Sequence, residues 1–284
     1  MKRTVFPIGR RLFAGILLSA LLAGAGCTSL PPYPQAVPDE VSYVTFNIGG
    51  GASSQFGFEQ PFDLPRAGAC LKSIGADFVA LQEVDTFVGR NRNPKRDTAA
   101  DLAKAAGYPW YSFGKAIPLR GGAYGIALLS RHTPISVGHF PLKDPEEPRT
   151  FIDARFRMRD GRILAVCATH LTCGNDAARA QQIQTILNHY KAYPADRLLL
   201  AGDLNDAADA PALKLLETEL PRLSPDTEAM TWLGGGKAID HIYGRGLPGE
   251  RWTVLPGSGR LPYTGQKPLS DHMPVYVHAR LTAD

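Results

Sequence analysis

Arg197-Leu198-Leu199-Leu200-Ala201-Gly202-Asp203-Leu204-Asn205 is the stretch on which the reading of this chain turns. Its short apolar run, Leu198 to Ala201, has the length and bounds of a buried strand. The run ends at Gly202. A carboxylate and a carboxamide follow two residues apart, at Asp203 and Asn205, a spacing that in extended chain puts both on one face. The first can take a proton or hold a metal, and the second stays neutral while donating to a phosphate oxygen. An Asx-turn closing a strand is the plainer account of one such stretch. The same design, an apolar strand delivering polar groups at its end, recurs five more times.

Val41 to Ile48 carries Asn47 into the loop Gly49-Gly50-Gly51. Phe78 to Asp85 carries Glu83 among apolar neighbours, where a Glu asks for a cation or a hydrogen-bond network. The strand 162–170 ends in His170, the strand 237–243 bears Asp240, and Leu269 to Val275 presents Asp271 and His272 before a last strand to Leu281. Helices are expected at 64–74, stopped by Gly75, at 97–106, stopped by Gly107, and at 175–190 with Asn175 or Gly174 at its start. A short helix at 211–217 has Asp209 as its expected cap. Further extended segments fall at 108–116, 125–131, 135–140 and 150–158, the last closed by an Asp160-Gly161 hairpin turn. Residues 218–236 are loop-rich and carry no signal.

Residues 1–26 stand apart from the fold. Lys2, Arg3, Arg10 and Arg11 precede an apolar run from Leu12 to Ala23, too short to span a membrane comfortably and laid out as a secretory signal. Ala23-Gly24-Ala25-Gly26-Cys27 resembles a bacterial lipobox, with Cys27 as the lipidated residue, although Gly24 stands where that motif prefers Leu. Ala23-Gly24-Ala25 also suits ordinary signal-peptidase cleavage. The lipoprotein reading is favoured because residues 27–40 then form a Pro-rich tether between a membrane anchor and a domain at 41–284. The protein is accordingly expected to be exported to the cell envelope, periplasmic or on the outer surface.

The chain carries 31 Lys+Arg and 27 Asp+Glu, but four of the basic residues and no acidic one lie in the signal, so the remainder is balanced. Bulk charge therefore gives no support for nucleic-acid binding. The dense basic cluster that remains, Arg90, Arg92, Lys95 and Arg96, reads as a solvated loop or as a phosphate-facing patch. No repeat or composition break follows residue 40, so roughly 245 residues are read as one domain. Cys70 and Cys167 have core settings. A disulfide involving Cys167 or Cys173 is open, and the spacings form neither a disulfide framework nor a zinc pattern.

Taken together the strand ends supply Asn47, Glu83, His170, Asp203, Asn205, Asp240, Asp271 and His272, with no paired Ser or Cys nucleophile. Oxygen-rich ligands suit a hard cation, Mg²⁺, Mn²⁺ or Ca²⁺, better than zinc. A hard cation with a His–Asp pair and carboxamides is what hydrolysis of a phosphate ester needs.

The strings Phe-Asn-Ile (46–48), Leu-Gln-Glu-Val (81–84), Leu-Leu-Ser-Arg (128–131), Thr-His-Leu (169–171), Gly-Asp-Leu-Asn (202–205), Ile-Asp-His-Ile (239–242) and Ser-Asp-His-Met-Pro-Val (270–275) resemble, in order, those of the endonuclease/exonuclease/phosphatase superfamily. Its members include DNase I, apurinic endonucleases, inositol-phosphate 5-phosphatases and neutral sphingomyelinases. The resemblance spans residues 43–281. It implies a DNase I-like four-layer α/β sandwich, two mixed β-sheets packed face to face with helices outside.

The resemblance further implies Mg²⁺ or Mn²⁺ held by Glu83 with Asn47 and Asp271. Asp240 would orient His272 to activate or stabilise the attacking group. Asp203 would position the water or protonate the leaving oxygen, and Asn205 and His170 would grip the phosphate. Arg92, Tyr124, Arg131 and Arg149 are candidate substrate contacts, with a strand-holding salt bridge as the competing account of Arg131 and Arg149. Ile126 departs from the pattern, since bacterial relatives of this subgroup usually carry Asn there. His132, His139, His189 and His241 match no motif position.

The expected function is an exported, metal-dependent phosphoesterase acting as a monomer on a small or lipid-linked phosphate ester, membrane-bound through its anchor. An extracytoplasmic nuclease is possible but not favoured, and a catalytically silent binding protein on the same fold is the third reading. Substrate choice resides in loops, which one sequence leaves illegible.

Overall fold

The computed structural model describes residues 35–51, 62–90, 94–224, 230–246, 250–254, 259–260 and 269–283. The expected signal, Cys27, most of the tether and Arg92 lie outside the described residues. Among the described residues no helix is long and apolar enough to cross a membrane.

Alternation along the strands sorts their apolar side chains onto two faces. In β1 (Glu40–Asn47), Val41 and Tyr43 join one hydrophobic cluster while Val44 and Phe46 join another. In β2 (Phe78–Thr86), Phe78 and Ala80 go to the first, Val79 and Leu81 to the second. Strands buried on both faces read as continuous apolar runs, which is how they looked in sequence.

The remaining strands are β3 (Trp110–Leu119), β4 (Gly122–Ser130), β5 (Ser136–Leu142), β6 (Arg149–Arg157), β7 (Ile163–His170), β8 (Arg197–Asp203), β9 (Asp240–Arg245), β10 (Glu250–Val254), β11 (Gly259–Arg260) and β12 (Val275–Ala283). They form two sheets. One has the order β10-β12-β1-β2-β4-β3, with β11 also on β12, and the other runs β5-β6-β7-β8-β9. Each is mixed: β1 and β2 are parallel in the first, β7 and β8 in the second, and the other pairings are antiparallel.

Each parallel pair is joined through a helix. α1 (Leu64–Ile74) links β1 to β2, and α3 (Asp176–Ala192) links β7 to β8. α2 (Thr98–Ala106) lies in the same cluster as α1, while α4 (Pro211–Glu217) lies with α3. One hydrophobic cluster fills the space between the sheets, one lies under α1 and α2, and one under α3 and α4. The result is the expected four-layer α/β sandwich of the DNase I-like kind. Every fully buried strand in it has partners on both faces.

The helix boundaries follow the signals in the sequence. Asp63, Asp97 and Asn175 accept backbone N–H bonds at the starts of α1, α2 and α3, and Gly75 and Gly107 end the first two at φ 67° and 79°. α4 corrects an expectation. Its N-cap is Ala210, with no side-chain cap bond, so Asp209 does not cap it; Pro211 alone starts the helix. The three described cysteines are free, which removes the disulfide alternative among the described residues.

Candidate active site

The parallel strands β1–β2 and β7–β8 end on the same side, so Asn47, Glu83, His170 and Asp203 converge at the seam between the sheets. Asn47 is buried. Its Oδ1 accepts from the N–H of Gly49 at 2.9 Å, which fixes the orientation of the carboxamide, since a donor must face its oxygen. Its Nδ2 then donates to Glu83 Oε1 at 3.1 Å and to Asp203 Oδ2 at 3.0 Å. Asn47 is therefore committed at both ends inside the protein. It orients the Glu83 carboxylate, while the second lone pair of its Oδ1 leaves its expected place as a ligand untouched.

Glu83 owes its aim to backbone strain. The β2–β4 register shifts between Leu81 and Val84, and Glu83 itself has φ 54°. That bulge turns its side chain out of the strand's alternation toward the seam. Burial raises its pKa, helped by the Asp271 charge, while Asn47 and His272 work against the shift. Its described hydrogen bond comes from Asn47. Asp271 accepts from Ser270 Oγ at 3.3 Å and Trp232 Nε1 at 3.4 Å.

Gly202 lets β8 close on β7. A Cβ there would lie 2.3 Å from the Thr169 carbonyl, so only glycine fits before Asp203. Asp203 is buried, accepts from the Asn205 N–H at 2.9 Å, and lies 3.5 Å from His170 Nε2 and 3.7 Å from His272 Nε2. Burial first, and then the Asp240 charge, hold its carboxyl well above the usual range.

His272 Nδ1 is 2.9 Å from Asp240 Oδ2. Burial opposes its charge, but the carboxylates of Asp240 and Asp203 prevail and push its pKa up to about 10. An imidazole in that state donates from both nitrogens: Nδ1 to Asp240, Nε2 toward Asp203. Asp203, Asp240 and His272 also have the spacing of a metal-binding trio. A protonated imidazole offers no lone pair, so this trio suits proton handling, and the all-oxygen pair Glu83 and Asp271 suits the cation.

His170 is the opposite case. Burial and the neighbouring Arg149 charge hold it well below the usual range, so it is neutral. Arg149 Nη1 donates to its Nδ1 at 3.2 Å, which leaves the proton on Nε2. Asn205 Nδ2 stands 3.1 Å from that Nε2 and donates to the Leu171 carbonyl at 2.9 Å. Asn205 has φ 56°, a conformation Asn tolerates. Arg149 is buried, pairs with Glu147 at 2.9 Å, and its Nε takes no acceptor among the described residues. Tyr124 lies beside Glu83 and Arg149, and burial raises the pKa of its phenol.

Arg131 is not brought here. It follows the end of β4 that pairs with the start of β2, donates to the Ala76 carbonyl at 3.1 Å and lies over the Tyr108 ring. Its expected substrate contact is corrected to a structural one. Ile126, noted as a departure from the pattern, is buried in the cluster between the sheets and makes an apolar contact there. His241 reaches the Asp206 carbonyl at 2.9 Å.

Two contributors had no signal in the sequence. Thr231 Oγ1 accepts the N–H groups of Ile239 and Asp240 at 3.0 and 3.1 Å. Trp232 bridges to His272 and to Lys237. The stretch that looked featureless thus clamps the Asp240–His272 pair from outside.

A model described as Endonuclease/Exonuclease/phosphatase family matches residues 44–272. Among solved structures, an endonuclease/exonuclease/phosphatase from Beutenbergia cavernae superposes with a TM-score of 0.68 at 23% identity, over 85% of this chain and 72% of that one. A mannosyl-6-phosphatase from Bacteroides thetaiotaomicron gives 0.62 at 18%, over 85% and 99%. The human Nocturnin catalytic domain, solved with a bound sulfate anion, gives 0.64 at 17%, over 87% and 97%. No curated protein matches the chain.

Proposed function

The chain belongs to the Endonuclease/Exonuclease/phosphatase family, and on that premise we propose that it is a divalent-metal-dependent phosphoric ester hydrolase acting on a small or lipid-linked phosphate. The observation that carries this is a buried guanidinium nitrogen left unpartnered among the described residues at the centre of the site. Arg149 has a buried Nε with no acceptor among the described residues, beside a neutral His170 whose Nε2–H and the Asn205 amide face one another. Neighbouring N–H donors of this kind, one of them on a guanidinium, suit a phosphoryl group.

The donor set of Glu83 and Asp271, oxygen only, fits Mg²⁺ or Mn²⁺. A cation bound there would neutralise charge on the phosphoryl and departing oxygens. The chain's own residues do the rest. Asp203 Oδ2 and His272 Nε2 stand 3.7 Å apart, so that one water could contact both. Asp203 takes its proton as the oxygen bonds to phosphorus, and its raised pKa makes it a competent base. His272, held by Asp240, donates from Nε2 to the oxyanion that forms. The ester P–O bond then breaks, Asp203 returns the proton it took to the departing oxygen, and the alcohol leaves neutral with Asp203 ionised again.

The balance of charge outside residues 1–26 favours a small or lipid-linked substrate over a polyanion, which several phosphate contacts would have to neutralise. The segment 1–26 and Cys27 support export and a lipid anchor. Hydrolysis of plasmid DNA, a phosphodiester lipid and a sugar phosphate, each with Mg²⁺, Mn²⁺ or EDTA, tests the proposal. Turnover of lipid or sugar phosphate that EDTA, Glu83→Ala and His272→Ala each abolish is expected. Cleavage of DNA alone would make the protein a nuclease, and silence on all three with a folded chain would favour a binding role.

A further inference from the structure

Arg90 lies on the loop after β2, and its guanidinium is held from three directions. Nε and Nη2 donate to the two carboxylate oxygens of Asp85 at 2.6 and 2.8 Å. Its Cζ stands 5.5 Å from the centre of the Tyr124 ring. Its Nη2 fills the space that a side chain on Gly50 would need: a Cβ there would lie 2.1 Å away. Gly50 has φ 62° and belongs to the turn directly after Asn47. An arginine ordinarily loses much side-chain freedom on binding an anion; here that loss has already occurred.

Nη1 remains. It has no acceptor among the described residues, and the side chain is 23% exposed, whereas Arg149 is 5% exposed. Tyr124 sets the spacing between the two. Arg149 stands beside it, Arg90 lies over its ring, and Glu83 is close enough for its charge to act on both Tyr124 and Arg90. Arg149 thus belongs to the interior of the site and Arg90 to its rim, with one aromatic ring between them. A guanidinium bound to one carboxylate on two nitrogens still has N–H groups to offer on its remaining edge.

We propose that Arg90 reads a second anionic group of the substrate, a phosphate on the same small alcohol as the scissile one, so that the site prefers bisphosphates to monophosphates. The proposal rests on the phosphoesterase reading for the location of the scissile group. The alternative is a clamp, in which Arg90 and Asp85 merely fasten the glycine turn to β2. A clamp predicts no anion selectivity, because the pair is neutral.

Binding separates the two. The full-length chain carrying His272→Ala is titrated calorimetrically, in Mg²⁺, with glucose 6-phosphate, glucose 1,6-bisphosphate and a short single-stranded oligonucleotide. The bisphosphate is expected to bind roughly tenfold or more tightly than the monophosphate. Adding Arg90→Gln should bring that ratio near one, and Arg90→Lys should restore part of it. If both affinities fall together with the melting temperature in Arg90→Gln and Asp85→Asn, the clamp is the whole role and the proposal fails. An oligonucleotide preference lost in Arg90→Gln, with no bisphosphate preference, would also overturn it in favour of a polyanion. Turnover by the unmutated chain is measured on the same compounds. Bisphosphate selectivity without turnover sinks the hydrolase reading and leaves Arg90 standing; turnover without selectivity does the reverse.

Discussion

Asn47 Nδ2 donates to Asp203 Oδ2 across 3.0 Å, a bond that ties the end of β1 in one sheet to the end of β8 in the other. The same nitrogen holds Glu83 at 3.1 Å. One neutral carboxamide therefore spaces two carboxylates that would otherwise repel each other, giving each an amide proton.

Asn47→Ala should accordingly damage two things at once. Turnover is expected to fall by about 10- to 100-fold and the metal concentration for half-activation to rise, as when a group orienting a ligand is removed. Stability should drop by about 1–3 kcal/mol, because Asp203 stays buried without its donor. Kinetics over a metal series and denaturant melts measure both. A variant weakened in stability alone would show that Asn47 does not orient the site.

Asp240→Asn carries a sharper signature in the pH profile. The Asp240 carboxylate favours the charged imidazole of His272, so a neutral amide lets that pKa fall from about 10. The same carboxylate raises Asp203, so that pKa falls too. Both limbs of the kcat/KM profile are expected to move to lower pH, with turnover down by about 100- to 10,000-fold. A profile scaled down without movement of either limb would refute the pairing.

Asp77 offers a test of stability away from the chemistry. Its Oδ2 accepts from Ser42 N–H and Oγ at 2.8 and 2.7 Å, and its Oδ1 faces His132 Nε2 at 3.2 Å. Burial alone would raise its pKa, but the bonds from His132 and Ser42 outweigh it and the net shift is downward. The folded value thus lies below the unfolded one. Its stabilisation is complete above about pH 4 and disappears as pH falls through the folded value. Asp77→Asn is expected to cost about 1–2 kcal/mol near neutrality, with the gap to the parent closing in strong acid. A gap unchanged at acid pH would count against the bond pattern.

Gly202→Ala should act through position. The added methyl meets the Thr169 carbonyl at 2.3 Å, backbone against backbone, so β8 must move away from β7. A loss of about 1–3 kcal/mol is expected, together with a fall in turnover at unchanged metal affinity, since Asp203 shifts while Glu83 does not. Equal losses in metal affinity would show that the two carboxylates move as one unit.

Much of this was legible because apolar strands and polar termini are local patterns. Leu198 to Ala201 announced a strand, and Asp203 and Asn205 its working end. Glu83 was legible as a misplaced charge, but not its φ of 54°, since nothing in Leu-Gln-Glu-Val marks a bulge. Arg131 misled because β4 runs antiparallel to β2, which carries its end away from the site although the motif sits beside the others in sequence. Thr231 was silent because no local pattern marks a hydroxyl that accepts backbone N–H groups from the next strand's start, and Trp232 because its bridge to His272 joins distant parts of the chain. Arg90 stood out only as one charge in a cluster, and its meaning came from Asp85, Tyr124 and Gly50.

The seam has one more consequence. Asn47, Glu83 and His272 come from β1, β2 and the approach to β12, while His170, Asp203 and Asp240 come from β7, β8 and β9. The bonds Asn47–Asp203 and His272–Asp240 both cross between the two halves. Neither half holds a working set of groups alone, because the trio Asp203, Asp240 and His272 is itself divided between them. Assembly is therefore the on-switch: an unfinished molecule is chemically mute, and a loosened core would silence the protein before it unfolds.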